Sequence, residues 1–302
     1  DANLTRFIAF VNEKYGKSFS TYGELYQWSI SAIPDFWAAM WEFGDIRYSK
    51  PYETVVNSLE DMLGAKWFSG SRLNFAQNLL RFRDDQDALV FKSEFKDPVR
   101  ITYAQLYDQV ARLARSFRDL GIKTGDRVVG FMPNMIESVI AMLAATSIGA
   151  IWSSCSPDFG IKGVLDRFGQ IAPQVLVTAN GYYYNGKAHD SLDRISGFLK
   201  DIPSIRKVVV VPYTEERPDI SKVPNSVYFN DFISRESGLE IEFEQLPFDH
   251  PLYIMYSSGT TGIPKCIVHG AGGTLIQHLK ELLLHTNLKR EDKIFYFTTC
   301  GW

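Results

Sequence analysis

Val208-Val209-Val210-Val211 decides the fold. Four consecutive β-branched residues favour extended backbone, and a strand with no polar position along it has to be covered on both faces. Upstream the same kind of run recurs. Arg127 to Met132 reads as a buried strand closed by Pro133-Asn134, Gly149-Ala150-Ile151-Trp152 as the next, and Val175-Leu176-Val177 as another. Between them Ile136, Val139, Met142 and Leu143, and then Ile161, Val164, Leu165 and Phe168, recur at helical spacing, with a further helix expected near Ser191 to Leu199. The alternation predicts an α/β fold: a doubly wound, mostly parallel sheet with helices on both faces. In such sheets ligands collect at loops beyond the carboxyl ends of the strands.

Toward the N-terminus, Ala88-Leu89-Val90-Phe91 and Val99-Arg100-Ile101, separated by a charged turn, read as a hairpin. Thr102 then caps a helix whose apolar face is Leu106, Val110, Leu113 and Phe117, ending at Leu120 with Gly121 in the C′ place. Earlier still the pattern is helical. Leu4, Phe7, Ile8 and Val11 precede a stop at Gly16, Thr21 and Glu24 form a capping box ahead of Leu25, Trp28 and Ile30, and an aromatic helix with Phe36, Trp37, Met40, Trp41 and Phe43 begins around Asp35. Residues 1–85 are therefore read as a helical lead-in and residues 86–302 as the α/β portion. Pro212 to Pro224, with three prolines and mixed charge, is expected to be an exposed irregular connection.

A chain of 302 residues that is 45% hydrophobic can bury on the order of 75% of its unfolded surface, so a globular core is expected. A formal net charge of −3 leaves no electrostatic footprint for nucleic acid or an anionic membrane, so an anionic ligand has to be held by local groups. Cys155, Cys266 and Cys300 are widely spaced, which argues against a disulfide framework or a zinc site and for a reducing cytoplasm. No apolar run reaches the roughly 18 residues of a membrane span. The chain opens on Asp1 without Met, which leaves a removed segment open, and oligomeric state is not legible.

Late in the chain, the apolar run Leu252 to Met255 is followed by Tyr256-Ser257-Ser258-Gly259-Thr260-Thr261-Gly262-Ile263-Pro264-Lys265. Glycines let backbone N–H groups turn toward an anion, Ser/Thr hydroxyls add donors, and the lysine adds a compact positive charge. This reads as a phosphate-holding loop suited to a nucleotide triphosphate, although composition alone fits a flexible connector equally well. It is not a Walker A loop, because Gly259 and Gly262 are three apart and Lys265 is followed by Cys266.

Together with Ile101-Thr102-Tyr103, Gly125-Asp126-Arg127-Val128-Val129 and Ile148-Gly149-Ala150, this loop resembles the motifs of the adenylate-forming superfamily, in order and in spacing. A narrower resemblance, to the acetoacetyl-CoA synthetase branch, runs through Trp67-Phe68, Leu73-Asn74-Phe75-Ala76, Trp152-Ser153-Ser154-Cys155-Ser156-Pro157-Asp158-Phe159-Gly160 and Asn180-Gly181-Tyr182. The resemblance implies an ATP-dependent acid–thiol ligase that joins acetoacetate to CoA through an acyl-adenylate, with ATP, Mg2+ and coenzyme A as cofactors. It implies that Ser257, Ser258, Gly259, Thr260, Thr261, Gly262 and Lys265 hold ATP phosphates, with Lys265 catalytic. CoA would meet Tyr184, Asn185, Gly186 and Lys187, with Gly160 beside the pantetheine, and Trp302 would border the acyl pocket. No metal ligand is assigned. No histidine carries a catalytic assignment, because the substrate carboxylate is already ionised and attacks by itself.

Motifs that relatives carry beyond this tryptophan have no match here, so the 302 residues alone are expected not to complete the reaction. Two other readings stay open: a ligase for acetate or propionate, and, if the natural chain ends at Trp302, a non-catalytic nucleotide-binding module.

Overall fold

The computed structural model describes residues 2–257 and 262–299. They fall into two compact units. The larger holds Leu79–Glu244 and Pro251–His269 together with Thr298 and Thr299; the smaller holds residues 2–78, Gln245–His250 and Gly270–Phe297.

The larger unit is built on a seven-stranded sheet. Its strands are β1 (Arg127–Phe131), β2 (Ile151–Cys155), β3 (Val175–Ala179), β4 (Lys207–Val211), β5 (Ser226–Tyr228), β6 (Pro251–Tyr256) and β7 (Cys266–Gly270), in the spatial order β5-β4-β3-β1-β2-β6-β7. From β5 through β6 every neighbouring pair is parallel. The valines of β4 are buried, Val208 to Val210 completely, as a run with no polar face demands. Val128 of β1 faces Trp152 of β2 on one side and Val175 of β3 on the other. The Trp152 ring lies over Gly130, where a Cβ would come within 2.7 Å of it, so this central strand needs a glycine to admit the indole.

Four longer helices cover the sheet: α1 (Tyr103–Asp119), α2 (Ile136–Ser147), α3 (Ile161–Phe168) and α4 (Leu192–Leu199). Thr102 caps α1 in a capping box completed by Gln105, and Leu106, Val110, Leu113 and Phe117 are buried beneath it. Val164 and Phe168 of α3 and Ile195 and Phe198 of α4 pack with Val129, Phe131, Leu176, Val208 and Val210 in one core. Asp87–Phe91 and Val99–Thr102 form the expected antiparallel hairpin.

In the smaller unit, helices Asn3–Tyr15, Tyr22–Ser31 and Ile33–Phe43 stand where the periodicity placed them, with Gly16 at φ +61° ending the first and the Thr21/Glu24 capping box starting the second. The unit's aromatic residues form a core in which the Phe68 ring centre lies 4.8 Å from those of both Trp41 and Phe248. Phe68 holds φ at +47°, an unusual conformation for an aromatic residue, while 1% exposed. Four short strands between Tyr48 and Leu73 join the helices, and no apolar periodicity announces them.

Several expectations need correction. Ile30 is 50% exposed and leaves the apolar face to Leu25 and Trp28. The aromatic helix starts at Ile33, with Pro34 inside its first turn, where a missing N–H costs nothing. Residues 212–224 are irregular but not simply exposed, since Tyr213 and Val223 are buried at 6% and 2% exposure. Cys266, expected as a small buried thiol next to a strand Ile267-Val268, lies within β7 and is only half-buried.

Candidate active site

The strand order sets where a ligand can sit. The chain leaves β1 for β2 on one side, then crosses to β3 on the other side of β1 and continues outward through β4 and β5. Connections therefore diverge between β1 and β3, and again between β2, whose chain returns toward β3, and β6, whose chain continues to β7. Crevices at the carboxyl edge open where connections diverge.

The phosphate-loop sequence leaves the carboxyl end of β6. In this strand Leu252, Ile254 and Tyr256 alternate into the core. The Tyr256 hydroxyl is hydrogen-bonded to Ser153 at 3.1 Å, Ser153 Oγ donates to the carbonyl of Ile254 at 2.6 Å, and burial pushes the Tyr256 phenol above its ordinary range. Ser257 N–H donates to the carbonyl of Lys265 at 3.1 Å and closes the base of the loop. Gly262 holds φ at +102° with open space where a Cβ would stand, so backbone conformation and not crowding asks for glycine there. Lys265 is exposed, and among the described residues no carboxylate pairs with it. Ser258, Gly259, Thr260, Thr261 and Trp302 lie outside the described residues.

The other expected group follows β3. Gly181–Tyr184 and Lys187–Asp190 pair as a hairpin whose two turn residues, Asn185 and Gly186, hold φ at +50° and +72°. Asn-Gly suits the turn that needs positive φ at both positions. The turn's amides are not vacant: Asn185 N–H and Gly186 N–H donate to the two carboxylate oxygens of Glu94 at 3.0 and 2.7 Å. Nothing in the sequence marked Glu94, which lies on the hairpin connection 91 residues upstream. The three tyrosines also separate. Tyr182 stacks on His189 at 4.9 Å and Tyr183 packs on Phe95 and Tyr213 at 4.8 and 5.3 Å, whereas Tyr184 is 68% exposed with no ring partner among the described residues. Gly160 caps α3, and neither its φ nor its surroundings require a glycine.

At the base of the hairpin Asn180 ties the end of β3 to the segment that follows β4. Its side-chain oxygen accepts from the amides of Tyr213 and Thr214 at 2.7 and 3.1 Å, and its nitrogen donates to Thr214 Oγ1 at 2.7 Å. Glu137, in the first turn of α2, has its carboxyl pushed up by burial, with Lys96 acting weakly in the opposite direction. Burial raises the Cys155 thiol to about 12 and pushes Cys266 up as well, so neither thiol is an activated nucleophile. Among the described residues no group of histidine, cysteine and carboxylate side chains could hold a metal ion. A hollow of about 480 Å³ in the smaller unit, lined by Lys66, Trp67, Arg72 and Phe248, contains none of the candidate residues.

Residues 75–302 match the model of the AMP-binding enzyme family. The chain belongs to that family. Residues 22–79 match the acetyl-coenzyme A synthetase N-terminus. The acetoacetyl-CoA synthetase of Danio rerio is 51% identical over 306 residues, and the malonamoyl-CoA synthetase vrtB of Penicillium aethiopicum is 40% identical over 309. These alignments cover 98% of this chain and 46% and 43% of the two relatives. The solved acetoacetyl-CoA synthetase from Streptomyces lividans superposes with a TM-score of 0.93 at 42% identity, over 100% of this chain and 46% of that one. The resemblance read in stretches from Trp67-Phe68 to Asn180-Gly181-Tyr182 thus extends along the whole chain, which spans about half the length of the relatives it matches. No helix among the described residues is long and apolar enough to cross a membrane.

Proposed function

We propose that the whole protein of which these residues form a part is an AMP-forming ligase that converts acetoacetate to acetoacetyl-CoA. The observation that carries the reading is the loop from Ser257 to Lys265, closed at its base, leaving the carboxyl end of β6 where connections diverge, and bearing a lysine that no carboxylate pairs with among the described residues. A carboxylate oxygen of the substrate attacks the α-phosphorus of ATP, the bond to the bridging oxygen breaks, and pyrophosphate leaves. The nucleophile is ionised at neutral pH, so the barrier lies in repulsion between anions and in charge growing on the departing pyrophosphate. In this reading Lys265 and the donors of Ser257, Ser258, Gly259, Thr260, Thr261 and Gly262 meet that charge, and magnesium arrives with ATP. The CoA thiol then attacks the acyl carbonyl and loses its proton, and AMP leaves. Tyr184 and Lys187 are the exposed groups of the hairpin for CoA, Gly160 stands beside the pantetheine, and Trp302 borders the acyl pocket. Residues 1–85 serve as lead-in to a nucleotide-binding portion that begins at 86, and the free thiols of Cys155 and Cys266 suit a cytoplasmic setting.

The choice of acetoacetate rests on the named relatives. A second reading, acetate or propionate, is favoured by the match of residues 22–79 to the acetyl-coenzyme A synthetase N-terminus. Acetoacetate and malonamate share a carbonyl β to the carboxylate and differ only in methyl against amide nitrogen, which makes a β-carbonyl acid the class to expect. ATP–pyrophosphate exchange by the full-length protein on acetoacetate, malonamate, acetate and propionate tests this. Acetoacetate should be preferred with malonamate second; preference for acetate would overturn the substrate assignment.

A further inference from the structure

The segment that follows β2 touches the phosphate loop at both of its ends. Arg167, at the end of α3, holds its guanidinium carbon 4.3 Å from the centre of the Phe159 ring and 5.7 Å from that of Tyr256, and its Nη1 donates to the carbonyl of Gly163 at 2.9 Å. Tyr256 immediately precedes Ser257, and Phe159 immediately precedes Gly160. Three residues beyond Arg167, Gln170 Nε2 donates to the carbonyl of Pro264 at 2.9 Å, and Pro264 immediately precedes Lys265. A second bond from the same amide, to the carbonyl of Asp166 at 2.5 Å, ties Gln170 back to α3.

The chemistry of each contact explains the residue in it. A guanidinium is planar, permanently charged and weakly hydrated, so it lies against aromatic rings where an ammonium would retain its water. Pro264 is buried, so its carbonyl needs a donor, and the Gln170 amide reaches it. Gln supplies that donor; Glu or Leu cannot.

We infer that Arg167 and Gln170 are positioning residues for the adenylation step, holding the flanks of the phosphate loop, Tyr256 and Pro264, against α3. Through Phe159 the same helix also anchors the segment bearing Gly160, so one rigid element sets both the nucleotide side and the CoA side of the carboxyl edge. Neither side chain touches a reacting atom; each acts by fixing where Ser257 and Lys265 stand. The inference rests on Ser257 to Lys265 being the ATP loop.

The experiment uses the full-length protein and the variants Gln170→Leu, Arg167→Leu, Arg167→Lys and Lys265→Ala, measuring ATP–pyrophosphate exchange, thioester formation from supplied acyl-adenylate, and thermal midpoint. Misplacing reacting groups by about 1 Å costs on the order of 100-fold, so a partly loosened loop should slow exchange about tenfold in Gln170→Leu and Arg167→Leu, with thioester formation within about twofold of the parent. Arg167→Lys should fall between the parent and Arg167→Leu, because an ammonium keeps a cation over the rings but offers no planar face. Gln170 is exposed, so Gln170→Leu keeps the test alive if the arginine variants fail to fold. Exchange lost in Lys265→Ala but intact in Gln170→Leu and Arg167→Leu overturns the positioning role alone, as does an equal loss in both half-reactions. Exchange intact in Lys265→Ala overturns the loop reading beneath it.

Discussion

Two glycine-bearing turns leave the carboxyl edge of one sheet, and the amides of one of them already hold a carboxylate. Both carry a glycine at positive φ and a lysine: Gly262 with Lys265 in one, Gly186 with Lys187 in the other. In the first, the lysine has no carboxylate beside it among the described residues. In the second, the amides of Asn185 and Gly186 already hold the carboxylate of Glu94. A capacity to bind an anion is thus not yet a ligand site, because an internal carboxylate can take the donors that a phosphate would use. Under the proposed function the two turns do different work: the lysine of the loop after β6 would meet ATP, and the Tyr184 ring and the Lys187 ammonium are what the hairpin would offer CoA.

The largest effect expected from this contrast is that of Lys265→Ala. Removing one group aimed at developing charge costs about 10²–10³ in rate. ATP–pyrophosphate exchange by the full-length variant should fall by that order while thioester formation from supplied acyl-adenylate changes little. Equal slowing of both half-reactions would erase the distinction between the turns.

A smaller pair of effects tests the hairpin. Lys187→Ala should raise KM for CoA about 3- to 10-fold, the worth of one exposed charge-assisted contact, without changing exchange. Glu94→Gln should act in the opposite direction, lowering KM for CoA by about twofold, because it removes a negative charge from the turn at an exposed, solvent-screened position. A raised KM in Glu94→Gln would mean that Glu94 supports the turn and does not occupy it.

The smallest effect concerns pH. Burial raises Cys155 from 9.0 to about 12 in the larger unit and Tyr15 from 10.0 to about 12 in the smaller. A raised folded pKa means that the folded state holds its proton more tightly. The stabilisation is complete below about pH 9 and is lost as pH rises toward 12. The urea midpoint should therefore decline progressively above pH 9; a midpoint constant to pH 11 would contradict the burial of these groups.

What was legible in the sequence follows from the range of the interactions involved. Helix starts at Thr21 and Thr102 are decided by hydrogen bonds spanning three residues, and the valines of β4 by their own branching and apolarity, so local reading recovers them. Strand order is a different matter. Nothing in β6 says that it lies beside β2, although Tyr253 pairs with Trp152 across 101 residues. The same limit hid Glu94, Arg167 and Gln170, whose partners lie 91, 89 and 94 residues away in sequence and whose residue types are ordinary for exposed positions. Ile30 fails for another reason: a helix covered along one narrow stripe leaves apolar residues just outside it in water.

Backbone hydrogen exchange in the full-length protein, with a non-hydrolysable ATP analogue and separately with CoA, tests the contrast most directly. The nucleotide should protect amides between Ser257 and Lys265 and leave those of Tyr184 to Lys187 unchanged. Exchange between Ser257 and Lys265 that is untouched by the nucleotide, or protection confined to the hairpin, would contradict it.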